Sequence, residues 1–187
     1  SQSANQKAAD MKIYATLILI LFLYSSSLAQ RPDYSAQVKS EMTKLSVLSG
    51  NWEGTSTSIT PNGEKGTAMV TERIYFKLDS TLLVLEGLGK DEEGNIVHSA
   101  FGVITFDHAQ NKYVMKSFLS NGSSTDADFE VLEPNTSFQW GFETPQSGTM
   151  KYTLNIENDA WSETGEYSQD GEQWFQFFEM ELNRSER

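Results

Sequence analysis

A carboxylate inside an otherwise apolar strand is the residue of this chain best placed to do chemistry, and "LLVLEGLG" holds the sharpest case, Glu86. Turned into a dry interior, such a carboxyl has its pKa raised, which suits a general acid or a polar anchor for a ligand. Arg73, in "VTERIYF", offers the competing reading of a structural ion pair with Glu86. In "WSETGEYS", Glu163 and Glu166 have opposite parity, so along a strand only one of them faces inward. The two histidines are His98, in "NIVHSAFG", and His108, in the turn-like "FDHAQNK". His108 reads as solvated. His98 shares a strand face with Ala100 and Ile104, as an interior polar group or a rim residue. Neither histidine has a readable Asp partner for a nucleophile and G-x-S-x-G is absent, so no nucleophile with its base can be read.

Metal sites fare no better. No H-x-x-x-H or C-x-x-C occurs, and the carboxylates Asp91, Glu92 and Glu93 are consecutive, whereas a calcium loop alternates its oxygens. That run reads as a hairpin tip, and no metal is predicted. The aromatic residues, 12% of the chain, carry more. Phe138, Trp140 and Phe142 share one face, and Tyr152 shares another with Leu154 and Ile156. The predicted wall of a ligand cavity is Tyr75, Phe101, Trp140, Phe142, Tyr152 and Trp161, with Arg73 and Glu86 as polar anchors. A filled core is the alternative.

These residues need elements to hold them. The stretch Met11 to Ala29 reads as a secretory signal peptide: Lys12, an apolar run from Ile13 to Tyr24, then Ser27-Leu28-Ala29 as a cleavage site. A membrane anchor is the rival reading, but the run is shorter than the roughly 20 residues that span a bilayer. Residues 1–10 read as an extension foreign to the natural chain or a start placed too early. Residues 30–48 form an N-terminal segment in which Tyr34, Val38, Met42 and Leu45 make one helical stripe, with Asp33 as N-cap. Residues 49–187 change to period two, with turn signals such as "PNGEKG", "SNGSS" and "SQDGEQ" between ten strand-like segments.

Ten antiparallel strands with short links must hide their edges, and closure does so most simply. The prediction is an all-β, up-and-down antiparallel barrel with a short N-terminal helix; a two-sheet sandwich is the alternative. In the last strand Trp174, Gln176, Phe178, Met180 and Leu182 are expected on one face, with Arg184 in step. Closure would lay Arg184 on Trp52, its other donors taking carbonyls at the end of the helix. The net charge of −12 and the lack of a basic stripe exclude nucleic acid as a partner. A cysteine-free exported chain points to the periplasm or the exterior.

Gly50-Asn51-Trp52 with Arg184 resembles the signature of the calycins, which include lipocalins and fatty-acid-binding proteins. "KLSVLSGNWEG" and "GEYSQDGEQWFQFFEMELNR" also look like a bacterial family of exported domains grouped with nitrobindin-like barrels, a resemblance running over about residues 40–184. It implies a barrel that binds small molecules. Nitrobindins hold haem through a histidine on the closing strand, which has none here, although Met115 and Met180 are conceivable ligands; haem is disfavoured and no cofactor is predicted. The expected function is therefore binding of a small hydrophobic or amphipathic molecule, without catalysis and without membrane insertion. Alternatives are a small enzyme using Glu86 or His98, a haem barrel, and an envelope interaction domain with a filled core.

Overall fold

The computed structural model describes residues 32–60, 62–144 and 148–186. The expected extension at 1–10 and signal peptide at 11–29 lie outside the described residues. Among those described, no helix is long and apolar enough to cross a membrane.

Residues Tyr34–Arg187 form one compact unit. It opens with helix α1 (Ser35–Met42), which tightens into a 3-10 helix (Thr43–Leu48). Of the expected stripe Val38, Met42 and Leu45 are buried and Tyr34 is exposed; Leu48, one turn further on, is buried as well. The N-cap is Tyr34 rather than the expected Asp33, and it makes no side-chain cap hydrogen bond. The Tyr34 ring instead stacks on His108, with ring centroids 3.6 Å apart, so His108 is not simply solvated.

Ten strands follow: β1 (Gly50–Ile59), β2 (Lys65–Lys77), β3 (Leu82–Lys90), β4 (Ile96–Asp107), β5 (Lys112–Leu119), β6 (Ser124–Glu133), β7 (Ser137–Glu143), β8 (Thr149–Glu157), β9 (Ala160–Ser168) and β10 (Phe175–Ser185). Each pairs antiparallel with its chain neighbours, and β1 pairs with β10, closing the barrel. A sandwich is thereby excluded.

The two ends of the barrel differ. At the base, the turn residues Leu78, Asp79, Ser80, Asn111, Asn135, Asn158 and Asp159 all have positive φ. Such short left-handed turns suit tight hairpins, for which Asn and Asp pay little. Each base hairpin is also tied to the helical segment or to Arg184. Asp79 forms an ion pair with Lys39, and His108 stacks on Tyr34. The Asn135 Oδ1 accepts from Ser46 Oγ at 2.9 Å and the Val47 amide at 3.2 Å. Asp159 accepts from Arg184 Nε at 2.7 Å. At the opposite end, the mouth, four turns place glycine at positive φ (Gly63, Gly94, Gly122, Gly171).

One expectation fails inside β10. A bulge between Gln176 and Phe178 shifts the register against β9. The extra residue, Phe177, reverses parity. Phe178, Met180 and Leu182 therefore point inward, whereas Trp174 lies against Lys151 (Nζ 4.0 Å from the ring centre) and Gln176 is exposed.

The base is sealed where the chain's two ends meet. Trp52 pairs with Arg184 across β1 and β10, and the guanidinium carbon lies 4.2 Å from the indole centre. Arg184 Nη1 donates to the Ser49 carbonyl at 2.8 Å and Nη2 to that of Val47 at 2.9 Å. These carbonyls end the 3-10 helix and lack helical partners. The Trp52 indole is 1% exposed and donates to the Leu48 carbonyl at 2.9 Å. Arg184→Ala removes these bonds together and should cost on the order of 3 kcal/mol, read as a lowered urea midpoint. Arg184→Lys should recover only part of it, because an ammonium cannot fork to two carbonyls. A loss below about 1 kcal/mol would show that the seal does not depend on this residue.

Candidate functional site

Inside the barrel is a cavity of about 440 Å³. Its floor is formed by Leu48 and Trp161, and its walls include Val70, Leu85, Ile104, Met115, Phe129, Leu154, Phe178 and Met180. Ser58, Val97 and His98 line the end where the glycine turns lie. Val97 and His98 are solvent-exposed, so this end is the opening.

Two carboxyls project into this space. Glu163 is 6% exposed. Its oxygens accept the indole N–H of Trp140 at 3.0 Å and of Trp161 at 3.2 Å. Glu72, on β2 between the inward-facing Val70 and Ile74, lines the cavity and lies against Gly87 of the neighbouring strand. A Cβ at Gly87 would sit 2.5 Å from Glu72 Oε1, so glycine there makes room for the acid. Gly165 does the same for Tyr152, whose Cε1 would lie 2.7 Å from an added Cβ. The Tyr152 ring can then stack flat on Trp140, with centroids 3.9 Å apart and planes 3° from parallel.

Burial sets the charge state of the pair. Desolvation, helped by the nearby Glu163, pushes the Glu72 pKa up from 4.5 to about 8. Desolvation raises Glu163 to about 7, held lower than Glu72 by its two indole donors. Tyr152 is pushed up to about 12 by desolvation and by Glu163, and stays neutral. Partial desolvation holds the His98 imidazole below 6.5.

The expected wall residues divide by face. Trp140, Tyr152 and Trp161 line the cavity. Phe142 packs against the core behind Trp140, with centroids 6.2 Å apart, without lining the cavity. Arg73, Tyr75, Glu86 and Phe101 require correction, because all four lie outside. In register, Arg73 opposes Glu86, Glu86 opposes Phe101 and Phe101 opposes Phe118, a row across the outer surface. Arg73 and Glu86 form an ion pair at 3.6 Å with side chains 67% and 40% exposed, and Tyr75 donates to Glu86 at 3.1 Å. The structural-pair reading of Arg73 and Glu86 therefore describes them. The cause is that β3 is apolar on both faces, so its composition does not say which side is inner. Of Glu163 and Glu166, the inward one is Glu163; Glu166 pairs with Lys151 at 2.9 Å. Glu72 was missed, although its parity with Val70 and Ile74 was the signal available.

Met115 and Met180 both line the cavity. The interior residues of the closing strand are Phe178, Met180 and Leu182, and the imidazole lining the cavity is at the mouth. Among the described residues no cluster of three His, Cys, Asp or Glu could hold a metal ion.

No family model matches the chain, and no curated protein does. Solved structures share its architecture. The chain is similar to Rv2717c from M. tuberculosis at 13% identity and a TM-score of 0.56, over 75% of this chain and 94% of that one. It is also similar to the S-type phycobiliprotein lyase CPES from Guillardia theta at 11% identity and a TM-score of 0.55, over 83% and 99% of the two chains. The fold is calycin-like. At these identities the likeness is one of fold.

The raised carboxyls have a consequence for stability. From the ordinary 4.5 up to about 8, the folded chain keeps protons on Glu72 and Glu163 that the unfolded chain has lost. Their contribution is complete below the unfolded pKa and is lost as pH rises through the folded values. The urea midpoint should fall between about pH 5 and pH 8.5, and Glu72→Gln should flatten that slope. An equal slope in the variant would mean that Glu72 titrates as a solvated acid.

Proposed function

We propose that this protein binds a small apolar or amphipathic molecule in the barrel interior and does not transform it. The observation that carries this reading is the cavity of about 440 Å³, apolar over most of its wall, with the Glu72 carboxyl aimed into it. Ligand sites are commonly concave, mostly apolar and provided with a few placed polar groups, at volumes of roughly 300–1,000 Å³. An interaction domain with a filled core accounts less well for such a space. As the place of action we propose the periplasm or the exterior, on the strength of the leader-like Met11 to Ala29 and the absence of cysteine.

An acid–base enzyme is the second reading, favoured by one observation, that two interior carboxyls have raised pKa values. It is the weaker one. Glu86 lies outside, and His98 has no carboxylate partner among the hydrogen bonds and ion pairs of the described residues. Both oxygens of Glu163 are already engaged by indoles.

Uptake of Nile red, a neutral apolar fluorophore, tests the container directly. The native protein should enhance its emission and show saturable binding. Ala68→Trp, which places an indole into the cavity from β2, should weaken uptake at least tenfold while leaving the far-ultraviolet spectrum unchanged. No saturable uptake by the native protein, together with a native mass equal to the denatured mass, would overturn the reading.

A further inference from the structure

We propose that the ligand carries a positive charge, an ammonium or amidinium on an apolar body, and that Glu72 and Glu163 together receive it. This rests on the reading of the barrel as a small-molecule container and specifies what it contains.

Three observations converge. Glu72 is directed into the cavity over Gly87 and has no hydrogen-bond partner among the described residues. The Glu72 side chain is only partly buried and its carboxyl is open to the cavity, so it can take a partner supplied from outside. Second, no Lys or Arg is among the residues lining the cavity, so two acids stand there without a counter-cation. The other titratable groups facing the cavity are Tyr152 from β8 and His98 from β4, and both are neutral at pH 7. β1 contributes Ser56 and Ser58, and β10 contributes Phe178 and Met180. A fatty acid or other anion would add like charge to an interior with nothing to oppose it, and the net charge of −12 would disfavour its approach. Third, Trp140 and Trp161 fix the Glu163 carboxyl by their N–H groups. The stacked Trp140 and Tyr152 rings beside it offer π faces to a desolvated cation.

Binding a cation requires the pair to release a proton. At pH 7 Glu163 is near its midpoint and Glu72 about one unit below its own, so the displacement costs at most about tenfold in affinity. Charge-assisted bonds in a dry site outweigh that.

The test compares phenethylamine, phenethyl alcohol and phenylacetate, three probes of one shape and three charges, by titration calorimetry on the folded protein. The amine should bind at least tenfold tighter than the alcohol, and the anion weakest. The amine's advantage should grow from about pH 6 to pH 8 as the acids ionise. Glu72→Gln and Glu163→Gln should each reduce the preference for amine over alcohol to under about threefold. An alcohol or anion that binds as tightly as the amine overturns the proposal, whatever the variants do. Nile red uptake separates the two failures. If the dye is taken up and the amine has no advantage, the charge assignment fails and the container stands. If neither the dye nor any of the three probes binds, both fall.

Discussion

The meeting of Arg184 with Trp52 is the constraint from which the remaining geometry follows. It joins the last strand to the first and caps the carbonyls of the 3-10 helix. It also turns Trp52 inward. Once that one side chain faces the interior, cross-strand register passes the choice around the barrel. Glu72 opposes Trp52 and so faces inward; Gly87 opposes Glu72, and Ala100 opposes Gly87. Their chain neighbours Arg73, Glu86 and Phe101 are sent outward by the same alternation. One contact at the base thus goes with Glu72 facing inward on the adjacent strand and Glu86 facing outward one strand further.

The barrel's ends carry different burdens. The base hairpins are short, left-handed in backbone, and fastened to the helical segment or Arg184 by side chains from each of the four turns. The mouth turns use glycine and lie beside exposed Val97 and His98. Among the described residues the cup is closed below and open above, and its opening leads to a cavity lined by the two acids. Within the pair, hydrogen bonding separates two groups of the same chemistry. Glu163 recovers part of its lost solvation from two indole donors, whereas Glu72 gains no such bond and also feels the charge of Glu163, so Glu72 is raised further.

One barrel fold accommodates many interiors, so the fold sets the shape of the cavity and the inward residues set its chemistry. In this chain those lining the cavity are mostly apolar, with two acids and no Lys or Arg among them. The glycines opposite Glu72 and Tyr152 belong to the same design: each removes a side chain from the inner face so that a larger one can lie across it. Aromatic stacking and a carboxyl pair therefore share one small volume.

Period two, the regular turns and the helical stripe of Val38, Met42 and Leu45 were enough in the sequence to determine ten strands after a short helix and the pairing of Trp52 with Arg184. These are local or end-to-end properties, readable from spacing. Alternation within a strand says which residues share a face but not which face is inner, and β3, apolar on both sides, concealed the answer. Only cross-strand register placed Glu86 outside and Glu72 inside. The bulge at Phe177 likewise left no mark in composition, yet it turned Trp174 and Gln176 away from the interior. What the tertiary structure decided was the absolute orientation of each face, because orientation is set by the partner strand and not by the strand itself.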